Sequence, residues 1–228
     1  MLKKMYPVIL IFYCLSCGPS IKTTGTAVTT LSTHKIIAII PFEVFFASKL
    51  EHAKEFTTAD MEQLKKYMSF SLQRHLLELF QKKEKRFPHT VAFQSFAVTN
   101  RILSEKNIVF KDFFSLPKKD ICKILQVDAI VFTRTVFGKK APGTENQKMY
   151  HGDLETAVGI YDSLNTAALW TFTDSRGQES VTGWLTNPGQ TALDKNHAND
   201  KYEEVMLTWY RTIEAVFQNL TADFPYKK

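Results

Sequence analysis

Read for its pattern of apolar and polar positions, the chain shows a first strand candidate at Ile36-Ile37-Ala38-Ile39-Ile40, closed by Pro41 and Phe42. A β-branched run that is apolar at consecutive positions predicts a strand buried on both faces, and Pro41 predicts its end. From 57 to 82 the period changes. Met61, Leu64, Met68, Leu72, Leu76, Leu79 and Phe80 recur at spacings of three and four, one stripe of an amphipathic helix started by Thr57, Thr58 and Asp60. Pro88 closes this unit. Thr90 to Gln94 predicts a second strand, 95–106 a short helix with Phe96, Val98, Ile102 and Leu103 apolar, and Pro117 the first turn of another helix with Ile121, Ile124 and Leu125 inward. Gln126 to Asp128 forms a joint, and Ala129 to Phe137 is the third strand.

Beyond Gly138 the pattern turns to 138–148, a polar loop, and then to two strands, 150–161 and 167–174, joined by a turn at Asp162 to Asn165. Residues 175–200 are rich in Gly, Asn, Asp, Ser and Thr, a long loop. The last helix spans about 200–221, its stripe being Tyr202, Val205, Met206, Trp209, Ile213, Val216, Phe217 and Leu220. Strand, helix, strand, helix, strand followed by a hairpin predicts an α/β fold: a mixed sheet with βαβ units, an antiparallel C-terminal hairpin and flanking helices, in a single domain over 35–228.

The N-terminus follows other rules. Lys3 and Lys4 precede the apolar run Val8 to Leu15, and Leu15-Ser16-Cys17-Gly18 follows. The run is shorter than the roughly 20 residues a spanning helix needs, so 1–16 reads as an export signal peptide. Its ending resembles a bacterial lipobox, with one departure: Cys14 stands where Leu is usual. A lipobox implies cleavage before Cys17, a covalent diacylglycerol and acyl lipid (palmitate) on Cys17 and no other cofactor. The alternative is a plain secretory signal cut elsewhere. Residues 17–34, rich in Thr, Ser and Gly, predict the lipidated Cys and a flexible tether.

Composition narrows the classes. The chain has 228 residues, 44% of them hydrophobic and 18 of them Phe, enough for a Phe-rich core. Its formal charge is +6, and Lys3 and Lys4 leave with the signal, so the mature chain carries +4. The one dense cluster, Lys82-Lys83-Glu84-Lys85-Arg86, ends a helix and reads as a solvated helix end. No basic stripe with interleaved aromatics points to nucleic acid. With Cys14 removed and Cys17 lipidated, Cys122 is left alone in an apolar stretch and reads as a small core residue.

Catalytic motifs are absent from the sequence: no phosphate-cradling glycine loop, no His-Glu-x-x-His, no Cys-x-x-Cys and no Gly-x-Ser-x-Gly. No catalytic or metal-ligating residue is assigned. Two polar trios stand out. His151, Asp153 and Glu155 alternate along one strand and share a face, which a solvated surface explains more simply than a metal or acid–base site. Asp194, His197 and Asp200 precede the last helix, where Asp200 suits an N-cap. Among aromatics, Phe42, Phe45 and Phe46 follow the first strand and Phe113 and Phe114 sit in a connecting loop, positions that suit either a crevice or the core. Trp184, beside Gly183 and Leu185 in the polar loop, is the candidate partner contact.

Several of these segments, in order, resemble one group of exported lipoproteins. Lys35 to Phe42 is similar to that group's opening strand, and Thr99-Asn100-Arg101-Ile102-Leu103 with Asn107-Ile108 to its second helix and loop. Leu125 to Val131 is similar to the point where an Asp leads from helix into strand, and Asp162 to Trp170 to its hairpin. This is the CsgG-like group, related in fold to the TolB N-terminal domain and to LpoB-type cell-wall lipoproteins. The resemblance implies a non-enzymatic, lipid-anchored accessory or assembly factor of a Gram-negative cell envelope. It would be held on the periplasmic side of the outer membrane and partnered by the membrane and by another envelope protein or itself. An alternative is a CsgG-type secretion channel subunit. Against it, 138–148 is too short for a spanning hairpin and 171–200 is polar with Pro188 and Gly189 inside it. A second alternative is a metal-dependent envelope enzyme.

Overall fold

The structure, a computed structural model, describes residues 19–25, 27–46, 57–84, 88–108, 110–139, 153–177 and 200–228. It is the expected mixed α/β fold, built on a seven-stranded sheet. The strands are β1 (Ser20–Thr23), β2 (Ile36–Ile39), β3 (Glu43–Phe46), β4 (Ala92–Phe93), β5 (Ala129–Lys139), β6 (Asp153–Asp162) and β7 (Trp170–Gly177). Their order is β1-β7-β6-β5-β2-β4, with β3 also beside β5. β2 runs parallel to β4 and β5, as crossover connections require, and β5-β6-β7 form the antiparallel meander. The helices are α1 (Ala27–Leu31), α2 (Thr58–Glu84), α3 (Phe96–Glu105), α4 (Phe110–Phe113), α5 (Lys118–Leu125) and α6 (Asp200–Ala222).

Pleating sorts the side chains onto two faces. Along β5, Ala129, Val131 and Phe137 point toward α2 and α6, while Ile130 and Phe132 point toward α3, α4 and α5. The first face carries the larger core. Leu64, Met68, Leu72, Leu76 and Phe80 of α2 meet Trp209, Ile213, Val216 and Leu220 of α6 over the sheet. Phe80 sits among Phe93, His89 and Phe224, with ring centroids 4.9, 5.5 and 4.4 Å away. The second core is smaller: Ala38, Ile40, Leu103, Phe113, Ile121, Cys122, Leu125, Val127 and Ile130.

The structure departs from the sequence reading in three places. The first strand does end before Pro41, but a second, unforeseen strand pairs with β5 beyond it. β2 reaches Ile39 opposite Val131, and β3 resumes at Glu43 opposite Arg134, so one extra residue is accommodated along β5. Helix α2 supplies the missing partners. Gln73 Nε2 donates to the Ile39 carbonyl at 2.8 Å and Ser69 Oγ to the Phe42 carbonyl at 2.6 Å. Phe45 and Phe46 therefore belong to a strand, not to a loop. Second, the expected tether 17–34 is largely structured from Ser20 onward. β1 pairs with β7, and α1 buries Ala27 and Leu31 in the large core. Polar Thr-rich sequence hides this because β1 is an edge strand with all four residues exposed. Third, Phe113 lies in α4 and is buried, where a connecting loop was expected. Among the described residues no helix is long and apolar enough to cross a membrane.

Candidate functional site

A buried polar constellation lies where the chain leaves α1, enters β2 and returns at the C-terminus. Asp162, the last residue of β6, is buried. Its Oδ1 accepts the amides of Leu164 and Asn165, and its Oδ2 accepts from Asn165 Nδ2, which closes the β6–β7 turn. His34 Nε2 lies 3.9 Å from Asp162 Oδ2, and His34 Nδ1 is hydrogen-bonded to the buried Tyr226 hydroxyl. A neutral imidazole with its proton on Nε2 meets both neighbours: Nε2–H faces the carboxylate and Nδ1 accepts from the phenol. Burial holds the His34 pKa below its ordinary value, against the pull of Asp162 and Asp128. Burial, then Asp162, raises the Tyr226 phenol. Beside them, Asp128 Oδ2 accepts the amides of Lys35 and Ile36 at 2.7 and 2.9 Å. Burial would raise that carboxyl, but the two amides hold it below the usual range.

A Tyr–His–Asp chain resembles a proton relay in outline, but every member is buried and each is committed to the scaffold. Burial, followed by Asp162, pushes the neighbouring Cys122 thiol up to about 12, and the side chain is fully enclosed. A nucleophilic cysteine needs a depressed pKa and access, and Cys122 has neither; the expectation of a small core residue agrees with its place in the second cluster. Among the described residues no group of three His, Cys, Asp or Glu side chains gathers as a metal site would require.

The exposed surface offers two other regions. The second core ends at Phe132 and Tyr161. Beyond them the same sheet face continues as Phe45, Arg134, Val136 and Ala157, half-buried apart from the exposed Arg134. The Arg134 guanidinium lies 4.4 Å from the Phe45 ring centroid and its Nε 3.9 Å from Glu43. Lys118 Nζ sits 3.9 Å from the Phe132 ring centroid, its pKa lowered by burial. An open groove of about 430 Å³ runs between α2 and α3, lined in part by Tyr67, Phe70, Arg74, Phe96 and Asn100. Asn100 donates to Gln73 Oε1 at 3.0 Å, so the groove floor and the β2–β3 interruption share one polar link.

Of the residues singled out in sequence, Cys17, His151, Trp184, Asp194 and His197 lie outside the described residues. Asp153 and Glu155 fall in β6, and the expected alternation holds there, since Leu154, Val158 and Ile160 are buried toward the large core. Asp200 is the first residue of α6. Phe42 is wholly core, Phe46 stacks on Phe137 at 5.6 Å, and Phe114 is half-buried against Phe110 and Phe113. Sequence reasoning missed His34, Tyr226 and Gln73. A lone polar residue in a Thr-rich or helical context carries no signal of the carbonyl or ring it will meet.

Neither a protein-family model nor a curated protein sequence matches the chain. Among solved structures it is similar to lipoprotein GNA1162 of Neisseria meningitidis, at 11% identity and TM-score 0.41, covering 79% of this chain and 99% of that one. It is similar to CT253 of Chlamydia trachomatis, at 11% identity and TM-score 0.42, covering 82% and 96%. It is also similar to the LpoB C-terminal domain of Salmonella enterica, at 7% identity and TM-score 0.34, covering 67% and 93%. Bacterial lipoproteins thus stand among its structural neighbours, without singling out the CsgG-like group. At TM-scores below 0.5 the likeness is too distant to transfer a function.

Proposed function

We propose that this chain is a lipid-anchored cell-envelope protein that serves as a non-enzymatic accessory or assembly factor. The observation that supports it most is the N-terminal series: Lys3 and Lys4, the apolar Val8 to Leu15, then Leu15-Ser16-Cys17-Gly18. The first strand begins at Ser20, just past that motif, so the folded domain and the signal do not overlap. The mature protein would begin at Cys17, carry diacylglycerol and an amide-linked acyl chain there, and sit in the periplasm on the outer membrane. Several chains on one residue hold firmly where a single chain holds weakly. The non-enzymatic part of the reading draws on the enclosed state of His34, Tyr226 and Cys122. Its partner would be another envelope protein or a second copy, with Trp184 as the proposed contact.

Labelled palmitate is the direct test. Wild-type protein expressed in a Gram-negative host should incorporate label and partition into detergent, and Cys17→Ser should do neither. Unlabelled wild-type protein released into the soluble fraction would overturn the anchor. For the contact, Trp184→Ala should lose a cross-linked envelope partner that the wild type retains; an unchanged cross-link would remove Trp184 from the interface.

A further inference from the structure

β1 is the outermost strand of the sheet and pairs on one side alone, with β7. In an antiparallel pair the backbone groups of successive residues alternate between the two sides of a strand. Thr24, directly after β1, donates its amide to the Leu169 carbonyl, and the register sets Lys22 opposite Thr171, so Lys22 and Thr24 turn toward β7. Ile21 and Thr23 therefore turn their N–H and C=O groups outward. Among the described residues no hydrogen bond engages those four groups, and all four residues of the strand are exposed. Natural sheet edges are blunted by proline, by bulges or by charges on the buried face. Ser20 to Thr23 has no proline and no register shift against β7, and its one charge, Lys22, lies on the opposite face from Ile21 and Thr23.

The face that Ile21 and Thr23 share has a cavity beside it. They stand opposite Phe172 and Trp170, both buried in the large core, so their side chains lie at the margin of that core. Next to them, and next to the residues that follow α6, is an open cavity of about 470 Å³, lined in part by Ile21, Thr23, Val28, Trp170, Asp223 and Tyr226. Its wall is held in place: the Tyr226 hydroxyl is hydrogen-bonded to His34, and Thr90 donates its amide to the Tyr226 carbonyl at 2.7 Å. Two exposed large apolar side chains, Ile21 at 43% and Val28 at 73%, belong to this lining. Asp223 is the one charged residue in the lining; it is exposed, and among the described residues nothing pairs with its carboxylate.

We propose that β1 is a strand-addition site: an extended segment of a partner protein pairs with the outward backbone of Ile21 and Thr23, sets an aliphatic side chain into the cavity beside Trp170 and, on the same face, sets a lysine or arginine against Asp223. Each part of the site has its own role. The free backbone groups supply main-chain hydrogen bonds that any sequence can make, and the cavity selects the side chains at alternate positions. Burial of an aliphatic group covers Ile21 and Val28, and a cation answers the single carboxylate on the lining. A second β1 does not meet these terms. It carries Ile21 and Lys22 on opposite faces, so it cannot bring both to one cavity. The inference stands apart from the lipidation of Cys17, since it uses only the folded edge.

The test uses protein expressed from the full chain in a Gram-negative host and purified in mild detergent, with a phage-displayed library of random nonapeptides as the probe. Enriched peptides should carry an aliphatic residue and a lysine or arginine at positions of the same parity. With the best of them, synthesised and added to saturation, amide exchange at Ile21 and Thr23 in the wild type should slow several-fold. Thr23→Pro removes one outward N–H and leaves the groups that face β7, so it should weaken binding about tenfold. Asp223→Asn, at an exposed position where folding is not at stake, should weaken it several-fold, and only for peptides that carry the cation. A library without enrichment, peptides that leave both amides unprotected, or binding unchanged in Asp223→Asn would overturn the proposal. A peptide-free dimer that Thr23→Pro dissolves would overturn it too and assign the edge to a second copy.

Discussion

The two faces of the sheet are finished differently. On one, α2 and α6 lie across its width and enclose the aromatic cluster of Phe80, Phe93 and Phe224 together with Trp170, Phe172, Phe137 and Trp209. On the other, three short helices cover β2 and the first half of β5 and stop at Phe132 and Tyr161, so that Arg134 and Phe45 continue toward solvent. A long amphipathic helix covers many strand positions at once, whereas helices of four to ten residues cover only the strand ends they connect. The first face is where stability should reside. The second is where a side chain can change with little effect on folding, as a surface that meets a partner requires.

Core truncation tests that contrast most strongly. Phe80→Ala should cost about 3–5 kcal/mol and Leu125→Ala, in the smaller core, about 2–3 kcal/mol, both read from urea unfolding. A Leu125→Ala penalty equal to that of Phe80→Ala would break the distinction between a dominant and a subsidiary core.

Next comes the polar bond between layers. Gln73→Leu leaves the Ile39 carbonyl and the Asn100 amide without their partners and should cost about 1–3 kcal/mol. Thr99→Val, at a buried site on α3, removes the hydroxyl that donates to Gln94 and should cost about 1 kcal/mol, on the lower side of that comparison. If Gln73→Leu proves neutral, apolar packing alone holds α2 over the β2–β3 interruption.

Acidification sharpens the contrast between ends. Burial lowers the pKa of both His34 and His89 in the folded protein. The unfolded chain therefore binds more protons near its ordinary histidine pKa of about 6.5, so stability is full above that pH and falls as pH drops below it. Unfolding followed from pH 7.5 to 5 should show this loss, and His34→Gln should flatten part of it. An unchanged slope in the variant would remove His34 from the linkage. The smallest effect is expected at Arg134→Ala. It forfeits an exposed cation–π contact and a 3.9 Å ion pair, so the change in stability should stay below about 1 kcal/mol.

Much of this fold was legible because its signals are periodic. The stripe from Met61 to Phe80 marks α2 to within two residues, the run of Ile36 to Ile40 marks an internal strand, and Asp162 to Asn165 marks the hairpin turn. The missed elements lack a period. β1 is a polar edge strand; its pairing depends on β7, which lies about 150 residues away. The polar network was no more visible. Asp128 and Asp162 could be read as residues that lead into or out of strands, but nothing near His34 in sequence announces Tyr226, 192 positions on.

By itself, then, the sequence determined what local patterning can determine: the α/β class, the order of most helices and strands, the buried stripes, and a Cys17 placed after an apolar leader. Tertiary structure alone decided that Ser20 to Leu31 joins the domain, that pairing along β5 resumes past Pro41 in β3, and that His34 meets Tyr226 and Asp162. The reason is that apolar periodicity encodes which side of an element is buried, while pairing across distant segments is settled by whichever partner satisfies an exposed backbone edge or a buried polar atom.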